Sequence, residues 1–461
     1  MSILGSIMVP HPPIILPEVG RGEEAAIEET SKAYHEAAKF VADLKPDTLV
    51  ISSPHSIMYG DYFHISPGKS AEGDFSMYRA GQVKIQADYD QDFVTALESL
   101  AESQDFPAGT IGERNKALDH GTMIPLYFIR QYLSDFKVVR IGLSGLSLAD
   151  HYRLGQMVAQ VSRELGRRTV FVGSGDLSHK MKAEGPYGFA KEGPEYDSRI
   201  MDVMGRGAFG ELLAFDESFC EKAAECGHRS FVILAGTLDG KALEISPATH
   251  QATFGVGYGV CTYKVKGEDE GRHFLAVWER GQKERLSQIK NSEDAYVRLA
   301  RASLESWVLD RKKLPLPEGL PKEMLSERAG AFVSLHKHGE LRGCIGTIGP
   351  TMESVAAEII ENAISASTRD PRFSPVRGEE LADIEISVDV LGETEQISGP
   401  EMLDEKKYGV IVEKGSKRGL LLPNLDGVDS VEEQIAIAKR KAAIPEKAEV
   451  TLYRFQVIRH V

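Results

Sequence analysis

Along residues 1–265 the apolar positions switch between two spacings. The run ILGSIMV (3–9) is apolar enough for a strand buried on both faces, and Pro10, Pro12 and Pro13 must stop it, because proline cannot donate to a ladder. Over 23–44, Ile27, Tyr34, Ala37, Val41 and Leu44 fall on one helical face. A second short strand, 48–53, again ends in Pro-His. KVVRIGL (137–143), a helix near 149–166, and a strand at 169–174 that enters a Gly-rich turn follow in order. This alternation predicts an α/β fold, a mainly parallel sheet with helices on both faces. Residues 241–246 and 253–265 read as further strands without a full crossover helix between them.

The charged, weakly periodic stretch 266–291 predicts a linker, leaving 1–265 as one domain and 292–461 as another. The second begins with a helix at 295–309. A hairpin-like segment (330–348), a helix near 351–366 and the strand IEISVDVL (384–391) come next. A second hairpin turning at Gly415-Ser416, a helix near 431–442 and a final strand at 448–458 complete an α+β pattern.

Composition narrows the class of function. A chain of 461 residues exceeds one ordinary core, which agrees with two domains. A net charge of −15 argues against nucleic acid or an anionic membrane surface as partner. No apolar stretch is long enough to span a bilayer, and no basic segment leads into an apolar one at the N-terminus. The four cysteines, Cys220, Cys226, Cys261 and Cys344, lack CxxC spacing, so reduced thiols and a cytoplasmic location are expected. A homo-oligomer is compatible with this composition.

The candidate chemistry lies at strand ends. His11, His55 and His179 each follow an apolar strand, and parallel strands deliver their carboxyl ends to one ligand-binding edge. A single such histidine is usually structural; three at equivalent places point to a shared site. Neutral imidazole is the commonest protein metal ligand. His120, in LDHGTMIPL, stands at a helix start, where it could line the same crevice or simply make a local hydrogen bond. Asp176, in GSGDLSH, could orient an imidazole or serve as a turn residue. Two histidines leave a metal undercoordinated, and AAECGHRS offers Glu225 or Cys226 as the third ligand. Glu225 would complete a two-histidine, one-carboxylate triad suited to Fe(II). Cys226 would soften the site and bring zinc or copper into contention beside iron, and it could equally be a small buried apolar residue.

In order and spacing, HPPIILPEVG, SPHS, DHG…PL, SGDLSH and ECGHRS resemble the Memo-like family and the related LigB-type class III extradiol dioxygenases, over about 3–264. That resemblance implies His11 and His55 as metal ligands, His179 as acid/base and His120 in the substrate pocket. Dioxygenases of this type use a glutamate as third ligand, whereas Memo-like proteins carry a cysteine. The resemblance therefore favours Cys226, with Glu225 second. GAFVSLHKHGELRGCIGT, STRDPRFSPV, IEISVDVL and KRGLLLP resemble the AMMECR family over about 292–459. The fusion is similar to AmmeMemoRadiSam proteins, which implies a radical-SAM protein as partner; this chain itself has no radical-SAM cysteine triplet.

In the second domain, Arg342 and Arg369 could clamp an anion beside a nucleophilic Cys344. The competing reading is a buried strand cysteine with an Arg369–Asp370 ion pair. EKGSKRG reads as a solvated turn, and GVGYGV lacks dinucleotide-binding spacing. Two functions are expected to compete. One is a class III extradiol dioxygenase-like oxidoreductase, holding one divalent metal, foremost Fe(II), against a small catechol-like or enediol-like substrate. The other is a non-catalytic metal-binding or docking scaffold.

Overall fold

A computed structural model describes residues 3–113, 116–337, 339–425 and 427–461. The chain divides into two compact units, Met1–Arg280 and Gly281–Val461.

The first unit is built on a seven-stranded sheet. Its centre is four parallel strands in the order Ile3–Val9, Thr169–Ser174, Thr48–Ser53, Lys137–Gly142. Tyr258–Glu268 adds antiparallel to Ile3–Val9, and carries Lys241–Ile245 and Thr249–Gln251 antiparallel in turn. Successive side chains enter two different cores. Ile7, Val9, Leu49, Ile51, Val170 and Val172 pack on the face covered by Tyr34, Ala37 and Val41 of the helix Glu28–Leu44. Met8, Val50, Val139, Ile141 and Phe171 pack on the opposite face, against Leu154 and Val158 of the helix Leu148–Glu164 and Phe231 and Leu234 of the helix His228–Thr237. Burial on both faces is why these strands read as unbroken apolar runs rather than as alternation. The parallel strands all end at one edge, the place where such sheets bind ligands.

The division between the two units falls within the stretch 266–291 expected as a linker, and that stretch is regular structure. The strand Tyr258–Glu268 runs into it, and the helix Phe274–Ser292 fills most of the remainder. In the first unit Leu275 is buried, with Phe274 and Trp278 packed on the same core, so a short apolar patch anchors an otherwise charged helix. Also unmarked by sequence pattern is the antiparallel pair Ser70–Phe75 and Ala80–Asp88, whose mixed polar composition hides its period.

The second unit contains two four-stranded sheets. Ala331–Lys337 pairs antiparallel with Glu340–Gly346, as the hairpin-like pattern predicts, and His338 lies outside the described residues. Gly409–Lys414 and Lys417–Leu421 form the second hairpin. The helix Val355–Thr368 packs Ile359, Ile360 and Ala363 into the first of these cores. Beside that sheet, the nearly buried Glu380 accepts Arg342 Nε and Nη2, each at 3.0 Å, and the backbone N–H of Arg377 at 3.0 Å. Burial is the largest single influence and opposes its ionisation, but the Arg342 guanidinium, the Arg377 N–H and Lys337 together outweigh it and hold the carboxyl down at about 2. An unfolded glutamate titrates near ~4.3, so the ionised pair contributes its full stability above that value and loses it as pH falls toward 2. Glu380→Gln should therefore cost this unit about 3 kcal/mol at pH 7 in urea unfolding, with the gap from wild type narrowing to about half that near pH 3 and closing only as pH falls toward 2.

Candidate metal centre

The first three strand ends converge through specific backbone devices. Pro12 and Pro13 keep the chain extended and then turn it into a short 3-10 segment, fixing His11 just beyond its strand. His11 is 1% exposed. Its backbone N–H donates to Asp176 Oδ1 at 2.7 Å, which ties the end of the first strand to the GSGDLSH turn. Gly175 and Gly227 meet backbone to backbone: a Cβ on Gly175 would lie 2.1 Å from the Cα of Gly227. That contact admits no side chain and brings the ECGH turn against the GSGD turn, setting Cys226 beside Asp176.

The hydrogen bonds of His11 fix its tautomer. Ser174 Oγ lies 2.6 Å from the carbonyl of Gly121, which can only accept, so the serine hydroxyl donates there. The same Oγ is 3.0 Å from His11 Nδ1 and must accept from it. His11 Nε2 is thereby left with a free lone pair. That atom is 3.0 Å from His55 Nε2 and 3.6 Å from Cys226 Sγ. Donor atoms of His11, His55 and Cys226 all lie within 4.8 Å of one another. Cys226 Sγ also receives the backbone N–H of Asp176 at 3.3 Å.

Glu225 faces elsewhere. Its carboxylate accepts the backbone N–H of His228 at 2.6 Å, at the start of the following helix, and it lines a small separate cavity with His228 and Arg229. Among the described residues the cluster with metal-ligand spacing contains Cys226 and not Glu225. Ala224, in a left-handed conformation (φ 52°), makes the turn that points the two successive side chains apart. His228 is buried, with Nε2 on the carbonyl of Leu212 at 3.0 Å.

The remaining histidines surround the cluster. His120 opens the helix His120–Ile129, which Asp119 caps by accepting from Thr122 N at 3.0 Å. Its ring centroid is 4.1 Å from His55 and 5.3 Å from His11. Asp119 Oδ1 also accepts Ser53 Oγ at 2.5 Å, linking this helix start to the second strand end. Gly121 permits the approach, since a Cβ there would lie 2.4 Å from Ser53 Oγ. His179 Nδ1 donates to the carbonyl of Ala224 at 2.7 Å, leaving Nε2 as an acceptor. Tyr187 packs edge-on against its ring at 5.0 Å. Asp176 holds the His11 backbone, not an imidazole.

Electrostatics favour neutral donors. Burial, reinforced by His55, His120 and His179, pushes the His11 pKa well below its ordinary value. Burial and then His55 lower His120 to about 4. Desolvation also lowers His55 and His179. Burial raises Asp176 to about 7 and the Cys226 thiol above its usual range. Uncharged imidazoles and an uncompensated thiol in one small volume are a donor set that a soft or borderline divalent cation fits. A cavity of about 980 Å³, lined by His55, Tyr78, Asp119, His120, Met123 and Arg140 among others, opens beside it. Sequence pattern did not reveal Ser174, Ser53 or Tyr78 as parts of this site; only the first, in VGSGD, sits where a strand-end reading could have found it.

In the second unit, Arg342, Cys344 and Arg369 do not converge on an anion site. Arg342 is committed to Glu380, and Arg369 pairs at 3.1 Å with Glu361, eight residues or about two turns back along Val355–Thr368. Asp370 pairs with Arg372, not Arg369, and accepts the backbone N–H of Cys344 at 2.9 Å. Ser334 Oγ donates to Cys344 Sγ at 3.2 Å across the hairpin. The LRGCIG and STRDPRF segments thus lock each other through Asp370.

The chain matches the family described as the catalytic LigB subunit of aromatic ring-opening dioxygenase over residues 5–261, and the family AMMECR1 over 297–460. A protein of Clostridium acetobutylicum is 41% identical over 100% of this chain and 99% of its own length. A protein of Thermotoga maritima is 52% identical over 36% of this chain and 98% of its own. A crystal structure of a protein from Pyrococcus horikoshii aligns over 36% of this chain and 88% of that one, with 33% identity and a TM-score of 0.34.

Proposed function

Since this chain belongs to the family of the catalytic LigB subunit of aromatic ring-opening dioxygenases, here fused to an AMMECR1 domain, we propose that its first unit is a metal-dependent oxidoreductase acting on a small vicinal diol, a catechol or an enediol. The observation that carries this reading is the convergence of His11 Nε2, His55 Nε2 and Cys226 Sγ beside a roomy cavity rather than inside a closed core. These three residues would hold one divalent cation, foremost Fe(II), with zinc or copper as competitors for a thiolate-containing site. Such a cation supplies Lewis acidity toward paired oxygens and, if iron, redox access to dioxygen.

The chain's own residues supply the rest. His179 is neutral, with Nδ1–H anchored on Ala224, so Nε2 can take a proton from a bound hydroxyl and later return it. His120, neutral down to about pH 4, can donate an N–H to a substrate oxygen without introducing a positive charge beside the cation. Ser174 keeps the His11 lone pair pointed at the cluster. Tyr78, 5.6 Å from the His120 ring, walls the cavity on the substrate side.

The test is anaerobic loading with Fe(II), Zn(II) or Cu(II), followed by a catechol panel with and without oxygen. The expected result is oxygen uptake matched to loss of the diol with Fe(II). Tight metal binding with no turnover of any diol would instead make the unit a metal-holding scaffold.

A further inference from the structure

A buried carboxylate tied to the segment that carries His179 has no part in the chemistry above. Asp197, on the helix Glu192–Arg206, is 1% exposed, and its two oxygens serve two distant segments. Oδ1 accepts the backbone N–H of Ser178 at 2.8 Å. Oδ2 lies 2.7 Å from Nε2 of the partly exposed His250, on the edge strand Thr249–Gln251. Gly257 makes room for both contacts, since a Cβ there would sit 1.9 Å from Asp197 Oδ2.

Ser178 is the residue before His179, and three further hydrogen bonds hold it. Its carbonyl accepts the N–H of Gly257 at 2.8 Å, while its Oγ donates to the carbonyl of Ala223 at 2.7 Å and accepts the N–H of Lys180 at 3.0 Å. The bond to Asp197 is the charge-assisted one of the set, a kind roughly twice as strong as a neutral bond. The carbonyl after that of Ala223 belongs to Ala224, the anchor of the His179 ring. Ser178 and His179 thus hang on consecutive carbonyls of one turn, so displacing Ser178 pulls the imidazole off Ala224. Charge works in the same direction. Burial is the largest influence on each group, raising the Asp197 carboxyl and lowering His179. Against that, a negative Asp197 favours the protonated imidazole, the form His179 takes once it has accepted a proton.

We propose that Asp197, held by His250, is the positioning residue of His179: it fixes the Ser178 backbone so that the imidazole stays on the Ala224 carbonyl with Nε2 free for proton transfer. This inference rests on the acid/base reading of His179. A carboxylate that served the fold alone would matter equally with or without the imidazole. A positioning carboxylate matters only through it.

The experiment has two readouts. The first needs no substrate: heteronuclear NMR of the full chain with isotope-labelled histidine, loaded with Zn(II), the His179 ring being assigned by its absence in His179→Gln. Wild type should show one His179 tautomer, protonated at Nδ1. Asp197→Asn should keep its metal content and show both tautomers. Its amide has one acceptor oxygen where the carboxylate has two, so its NH2 must face either the Ser178 N–H or His250. His250→Ala should do the same to a lesser degree. The second readout is a double-mutant cycle on diol turnover with Fe(II) and oxygen. Asp197→Asn should lower kcat by about 10-fold, the worth of a charge-assisted hydrogen bond, and leave KM within about twofold. In the His179→Gln background it should change the residual rate by less than about twofold. Mixed tautomers in wild type, or a single tautomer that persists in both Asp197→Asn and His250→Ala, overturns the proposal. An equal loss of turnover in the two backgrounds overturns it as well. If Asp197→Asn does not fold, His250→Ala decides by the same two readouts. A protein that turns over no diol removes the acid/base reading, while the tautomers still decide whether Asp197 holds the ring.

Discussion

His11→Ala should lose bound metal almost completely, with affinity falling by well over about 100-fold, more than the loss of an outer hydrogen-bond partner causes. Its Nε2 is the atom common to both short approaches in the cluster, 3.0 Å to His55 and 3.6 Å to Cys226. The Nδ1–Ser174–Gly121 relay means that this lone pair is oriented before any cation arrives. The measurement is metal content after anaerobic loading and desalting, read beside Cys226→Ser and Glu225→Gln. Cys226→Ser should weaken binding and shift preference away from zinc and copper, because a hydroxyl is a poorer, harder donor than a thiolate. Glu225→Gln should retain metal, since the carboxylate is occupied by the His228 N–H and turned into another cavity. Full occupancy in His11→Ala would sink the three-residue site. Loss in Glu225→Gln with retention in Cys226→Ser would mean that the 224–228 turn rearranges to present a carboxylate instead.

How much of this was legible beforehand follows from which interactions are local. The parallel core was readable because strands buried on two faces must be apolar throughout, and the Pro-His endings marked where they stop. His11, His55 and His179 were readable together because parallel topology turns sequence-distant strand ends into neighbours. The choice of Cys226 over Glu225 rested on the family resemblance alone, because its geometry depends on a left-handed Ala224 and on glycine-to-glycine packing across 52 residues of chain, from Gly175 to Gly227. Arg342 and Arg369 illustrate the opposite error. Motif proximity suggested an anion clamp, yet each found a carboxylate, Glu380 and Glu361, whose position only the tertiary fold sets. The charged helix Phe274–Ser292 escaped because three apolar residues suffice to anchor it.

His179→Gln separates catalysis from metal holding. His179 is not among the residues with ligand spacing, and its ring is fixed instead by the carbonyl of Ala224 at 2.7 Å and the edge of Tyr187. The variant should therefore load metal as wild type does and bind diols with similar affinity. Turnover should fall by about 10²–10⁴-fold, the usual contribution of a positioned acid/base. The pH dependence carries the sign. Desolvation lowers the folded pKa of His179, so the imidazole is a competent base through neutral pH and becomes unavailable only as pH falls below the ordinary histidine range. The acid limb of the wild-type kcat profile should thus lie below about pH 6.5. In His179→Gln the residual rate should lose that limb, and a small exogenous imidazole should restore part of it. A variant that loses metal and turnover together would move His179 from proton transfer into the ligand set, and would require His55, the exposed member of the cluster, to be the residue that yields its place.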